Sequence, residues 1–228
     1  MTNGTATSLL WGAAVALEWL SPLFTPMSGF RIAPAHFVER HGLVVIVALG
    51  ESIVAIGIGA ADLPVDLSLA AVAVLGLLLA ACLWWAYFGG DDTRAERALA
   101  AIPDARRGWV AIQSFGYWHL VMLLGIIALA AGLKDAIGHA HDPLEPAHAL
   151  LLSGGAALFL AGDVLFRRAL TIGPGHLRAT AAALALATVP LGLTVSALAQ
   201  LVALLVVLAG SLLAETRLAV TSGRQPRR

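Results

Sequence analysis

Two acids and a histidine interrupt stretches of chain that are otherwise apolar, and these are the residues best placed to do chemistry. Glu51 stands within GLVVIVALGESIVAIGIGA, His119 between FGYW and LVMLLGIIALAA, and Glu18 within WGAAVALEWLSP. A carboxylate at the centre of a membrane helix costs roughly 2.5–3.5 kcal/mol on insertion scales, so such acids face protein or water and commonly mark ion or proton pathways. At about 100° per residue, Ala48, Ser52, Ala55 and Gly59 form a stripe of small residues with Glu51 at its edge. Ile46, Leu49, Ile53 and Ile56 fall on a bulky sector suited to lipid. Small residues let helices approach closely, so Glu51 is expected to border a tight helix contact, with Ser52 beside it. His119 and Glu51 each lie about nine or ten residues into an apolar segment, roughly 15 Å at 1.5 Å per residue. Glu18, on a helix running the other way, reaches a slightly lower level. The three are expected to share a layer, with a Glu51–His119 pair as the transport or proton-relay candidate. The structural alternative ties each group to a neighbouring helix by a hydrogen bond.

Other polar groups have plainer readings. Asp163 precedes LFRR, and pairing with Arg167 one turn on accounts for it. Glu39 and Arg40 read as solvated charges beside the membrane. The segment HAHDPLEPAH carries His139, His141, Asp142, Glu145 and His148, all competent ligand types. They lack zinc-finger spacing and two prolines interrupt them, so a solvated loop is expected and no metal is assigned. Cys82 is single, which leaves no disulfide framework and no thiolate metal site. No HExxH, GxSxG or Gly-rich phosphate loop appears, so no enzyme and no cofactor are assigned.

The elements that must position these residues are membrane helices. The chain is 59% hydrophobic and 12% charged, with a mean hydropathy of +0.86; soluble domains carry about 25% charged residues. Apolar segments run over 8–24, 41–60, 67–88, 109–131, 148–166, 179–195 and 197–216. About 20 apolar residues cross a hydrocarbon core of roughly 30 Å, which makes each segment a candidate span. Thirteen of the fourteen Lys and Arg residues fall in every second gap or after the last segment, and the alternate gaps hold Lys134 alone. Positive residues stay on the cytoplasmic side. The expectation is an all-α polytopic transmembrane bundle of about seven spans, N-terminus outside and C-terminus cytoplasmic. The N-terminus lacks a basic n-region, so no cleaved signal peptide is read. The connection GGDDTRAERALAAIPDARRG is mixed in sign and expected to be partly helical between its Gly and Pro breakers. Pro190 is expected to kink or end the sixth segment. Residues 1–228 read as a single transmembrane domain with membrane lipids as partners; the basic residues suit anionic headgroups, and no nucleic acid is expected.

The stretch HFVERHGLVVIVALGESIVAIG, residues 36–57, resembles the signature of the bacterial low temperature requirement protein A family. ALEWLSP, LWWAYF, YWHLVMLLGIIALAAGLKDAI and GAALFLAGDVLFRR are similar to further segments of that family. The resemblance marks His36, Glu39, Arg40, Gly50 and Glu51 as the motif's polar and glycine positions, with Glu18 and His119 at matching places outside it. It implies a multi-pass protein of the bacterial inner membrane, and it identifies this chain with the carboxyl-side portion of a longer family architecture that has further amino-terminal spans. Where the family commonly has an acid directly after YF, Gly89-Gly90 intervene here before Asp91.

Three functions follow in order. The first is a carrier or channel, proton-coupled, moving an unidentified small solute or ion through a site at Glu51, His119 and Glu18. The second is a non-transporting structural or cold- and stress-related membrane protein, in which those groups lock helix packing. An intramembrane enzyme acting on lipids ranks last, for want of an acid-rich metal-phosphate motif. Helices lacking their neighbours would also favour a homo-oligomer.

Overall fold

The computed structural model describes residues 2–24, 32–61 and 63–221, with the side chains of residues 2–5 and 23 outside the described set. Among the described residues there are ten α-helices, one π-helical segment and no strand. α1 is Thr2–Phe24, α2 Pro34–Gly59, α3 Leu67–Phe88, α4 Asp91–Ala101 and α5 Asp104–Ala111. A π segment, Ile112–Trp118, joins α5 to α6, His119–Gly138. α7 is Pro146–Leu170, α8 His176–Leu186, α9 Val189–Thr194 and α10 Ala197–Thr221.

Local chemistry sets these boundaries. α2 and α7 open on Pro34 and Pro146, whose missing N–H is harmless in a first helical turn. The Asp66 carboxylate caps α3 by accepting the Leu69 N–H at 2.8 Å. Gly90, at φ +123°, turns the chain from α3 into α4, a conformation L side chains avoid. The polar connection is thus helical, as its composition suggests: α4 runs between the Gly90 and Pro103 breakers and α5 starts directly after Pro103.

Six helical stretches among the described residues are long and apolar enough to cross a membrane: 34–59, 67–101, 104–138, 146–170, 176–194 and 197–221. The expected first span, 8–24, falls in α1, a 23-residue helix whose side chains lie only partly inside the described set and which is not counted among these six. Its described side chains are almost all exposed, and it meets the bundle at Trp19. There the Tyr117 hydroxyl donates to the Trp19 carbonyl at 2.8 Å and the two rings meet edge-on.

α6 and α7 form the antiparallel centre. Gly125 and Gly155 face each other so closely that a Cβ on either would run into the opposing backbone. α2 runs parallel to α6 on its other flank, with His41 beside His119 at one end and Gly59 against the Lys134 carbonyl at the other. The small stripe of α2 faces inward as expected: Ser52 and Ala55 are buried, Ala48 and Gly59 partly so. The bulky sector divides, with Ile46 and Ile53 exposed but Leu49 and Ile56 buried.

The two ends of the bundle differ. One gathers α3, α4, α7, α8 and α10 around Asp91, Arg167, Arg178 and Glu215. At the other, loops are stitched by Ser68–His141 at 2.9 Å, by the Leu144 N–H to the Gly192 carbonyl, and by the Ala197 N–H to the Asp142 carbonyl. This sorting is the one the alternating basic gaps suggest.

Candidate functional site

Two spans are irregular. The π segment lies directly before His119; π bulges recur at functional sites. The fifth span breaks at Ala187–Thr188, and Pro190 restarts it as α9. A buried relay of neutral groups fills that break. Thr188 Oγ1 donates to the Ala185 carbonyl at 2.7 Å, Ser153 Oγ donates to Thr188 Oγ1 at 2.7 Å, and Gln200 Nε2 donates to Ser153 Oγ at 2.7 Å and to the Ala149 carbonyl at 2.8 Å. Hydroxyls thereby satisfy backbone that the break would strand. The Gln200 amide oxygen occupies the space a Cβ on Gly192 would need, which explains a glycine there.

Nearer the middle is a chamber of rings. His119 is 2% exposed and stands against His41 of α2 and Tyr87 of α3, with centroids 5.4 Å and 5.6 Å away. Phe115 and Phe166 close it, meeting each other edge-on at 5.0 Å. His41 Nδ1 lies 2.8 Å from the Phe37 carbonyl, and since a carbonyl only accepts, that nitrogen carries the proton. Both ring nitrogens of His119 and the Tyr87 hydroxyl are buried without a hydrogen-bond partner among the described residues. Each buried polar atom left so costs about 1–3 kcal/mol, and such groups call for an explanation in a role, a water or an ion.

The charged end begins within a turn of that chamber. Gly162 packs against the Trp118 carbonyl and Met122, so Asp163 lies level with His119. Asp163 Oδ2 takes Arg178 at 3.0 Å and Arg167 at 3.3 Å, while Oδ1 has no hydrogen-bond partner among the described residues. Arg167 Nε donates to Asp91 at 2.7 Å, and Arg94 also pairs with Asp91. Glu215 accepts from both arginines: its two oxygens lie 3.2 Å and 3.3 Å from the Arg167 fork and 2.9 Å and 2.9 Å from the Arg178 fork. Three guanidiniums thus meet three carboxylates. Charge-assisted, bidentate geometry of this kind is what makes a buried ion cluster tolerable.

The sequence-derived candidates scatter across this frame. His119 is interior. Ser52 is buried with its hydroxyl unpartnered among the described residues. Glu51 is exposed on the outward face of α2. His41 is level with His119, and Glu51 lies ten residues further along the same helix, roughly 15 Å at 1.5 Å per residue. The equal-depth expectation therefore does not hold. α2 starts at Pro34 and the helix leading to His119 at Asp104, each a few residues before its apolar segment, which leaves equal depth nearly unchanged. It is the packing of α2 on α6, with His41 beside His119, that sets the register about ten residues from the assumed one. Glu18 is near the level of Tyr117 through its neighbour Trp19, but it too is exposed. His36, Glu39 and Arg40 form an exposed string, with His36 3.4 Å from Glu39 and 3.3 Å from Arg40. Gly50 is half-buried, with open space where a Cβ would go. At the loop end, Asp135 stands 3.0 Å from His148 and 3.9 Å from His139.

Sequence reasoning gave Asp163 its Arg167 partner but missed Arg178 and Glu215. The signal available was an acid, Glu215, two residues before Arg217 and out of place in a basic terminus.

Fold and site together define a polytopic helical membrane protein with a charged, ring-lined interior. The chain belongs to the bacterial low temperature requirement A protein (LtrA) family, whose model matches residues 1–213. It is 30% identical over 169 residues to an uncharacterized protein of Rhizobium meliloti (strain 1021); the aligned segment covers 70% of this chain and 41% of that relative. No solved structure matches the chain.

Proposed function

We propose that this LtrA-family chain is part of a proton-coupled carrier of the bacterial inner membrane, oriented with its charged end in the cytoplasm, and that His119 is its interior proton acceptor. The observation that carries this reading is the pair of unpartnered, buried ring nitrogens of His119, level with Asp163 and facing His41 and Tyr87. A neutral imidazole offers one donor and one acceptor, so it can take up a proton on one nitrogen and release one from the other. The irregular backbone beside it and at the fifth span supports the same reading, because broken helices line the sites of many carriers. Glu51, on the outward face, enters as a separate acid and no longer as the partner of His119.

The test is proton flux into liposomes that hold the full chain and a trapped pH-sensitive dye, under an imposed membrane potential. Flux well above that of empty liposomes is expected, falling to the empty-liposome rate in His119→Gln. Equal flux in wild type and variant would sink the assignment. The second reading, a non-transporting membrane component, is favoured by the balanced ion cluster that fastens α4, α7, α8 and α10. On that reading His119→Gln changes protein abundance while no flux is seen in either form.

A further inference from the structure

The ion cluster has an asymmetric member. Asp91, Asp163, Arg167 and Arg178 are at most 4% exposed, whereas Glu215 is 21% exposed. It reaches the cluster from α10, which has no fully buried residue beyond Leu208. Its attachments are also unlike those of the other acids. Asp91 and Asp163 are fixed on the helices they brace, each with one oxygen on Arg167 or Arg178 at close range. Glu215 instead sits with both oxygens shared between two guanidinium forks, the arrangement proteins use to recognise a free carboxylate. Both forks have further acceptors that hold them when that carboxylate leaves. Arg167 Nη1 also donates to the Pro174 carbonyl at 3.1 Å, and Arg178 is braced on Asp163 and on the Ala86 carbonyl. With Glu215 withdrawn, three guanidiniums would face two carboxylates, leaving one positive charge for a monovalent anion.

We infer that the paired forks of Arg167 and Arg178 are a binding seat for a small carboxylate anion, and that Glu215 is a tethered carboxylate occupying that seat until a ligand displaces it. The assignment gives the carrier reading a ligand class and rests on that reading only for movement across the membrane. Its test is therefore an equilibrium measurement, which can fail or succeed independently of any flux.

The full chain in detergent is heated while sodium acetate is titrated in, with sodium chloride at equal ionic strength as the reference. Glu215→Ala is purified in acetate so that loss of the tethered acid does not prevent folding. Its midpoint is expected to fall by several degrees without acetate and to recover saturably with it. Wild type is expected to show the same saturable rise at roughly tenfold higher acetate, because the tethered acid competes at an effective concentration in the millimolar range. Arg178→Lys, which keeps the charge but loses the fork, should abolish both responses. A wild type that answers acetate no more than chloride would overturn the proposal, since rescue of Glu215→Ala alone shows only a structural ion pair. Undiminished rescue in the Arg178→Lys, Glu215→Ala double variant would overturn the seat. Inorganic phosphate acting as well as acetate would overturn the carboxylate assignment.

Discussion

α7 and α2 have nearly the same length, 25 and 26 residues, and both lie along α6, yet they turn their carboxylates in opposite directions. On α7, Ser153, Asp163 and Arg167 all point inward, and 67% of its most apolar window is buried. On α2 that share is 33%, and His36, Glu39, Arg40 and Glu51 point outward. The difference separates two meanings of a polar residue in an apolar helix. On α7 the groups have partners on three other helices and hold the fold together. On α2 the motif's charged string His36, Glu39 and Arg40 has only itself for partners, while two other residues of the same stretch, His41 and Ser52, turn toward the interior.

The largest effect that could break this contrast is at Arg167. Arg167→Gln would leave Glu215 with one fork and Asp91 with Arg94 alone. Removing one partner of a buried ion group costs about 3–5 kcal/mol, so a large fall in the thermal midpoint of the detergent-solubilised chain is expected. A change no greater than that of a surface substitution would show that α7's charges are not what fastens α8 and α10. The next effect is at the α6–α7 seam. Gly125→Val forces a side chain into the Gly155 carbonyl and the Phe159 backbone, which have no rotamer to change. Overpacking of this kind costs about 1–3 kcal/mol, and loss near the upper end, read from unfolding monitored by tryptophan fluorescence, is expected. An unaltered midpoint would mean that the two helices are not in contact at that glycine.

The contrast was only partly readable in the sequence. Helix type, the positions of most spans and the sorting of charge by end follow from hydropathy and the alternating gaps, because both depend on local composition. The inward stripe of α2 also followed, since small residues at helical spacing mark close approach. What did not follow was register between helices. Whether His119 sits beside His41 or ten residues further along α2 depends on how the two helices slide against each other when they pack, and local composition does not encode that. The same limit hid Glu215 and Arg178: they are 37 residues apart in the chain, and only the packing of α8 against α10 makes them neighbours. Glu51 was read as sheltered because an acid at mid-span ought to be. The backbone places it one residue off the buried stripe, and at 100° per residue that step is enough to turn it outward.

The smallest expected effect is therefore at Glu51, and it sharpens the comparison most. In detergent, Glu51→Leu removes a carboxyl group that has no hydrogen bond or ion pair among the described residues and adds apolar surface to an already apolar outward face. A change within about 0.5 kcal/mol is expected, as for substitutions that touch no packed or bonded feature. Were this acid buried in a contact of its own, the same substitution would weaken the chain as Arg167→Gln does. In bilayers the two cases separate further. An outward acid facing lipid makes insertion harder by roughly 2.5–3.5 kcal/mol, so Glu51→Leu should raise the yield of membrane-inserted protein. A lower yield with an unchanged midpoint in detergent would instead show that the outward face of α2 is engaged by protein in the membrane, and that its polar residues are held there as firmly as those of α7.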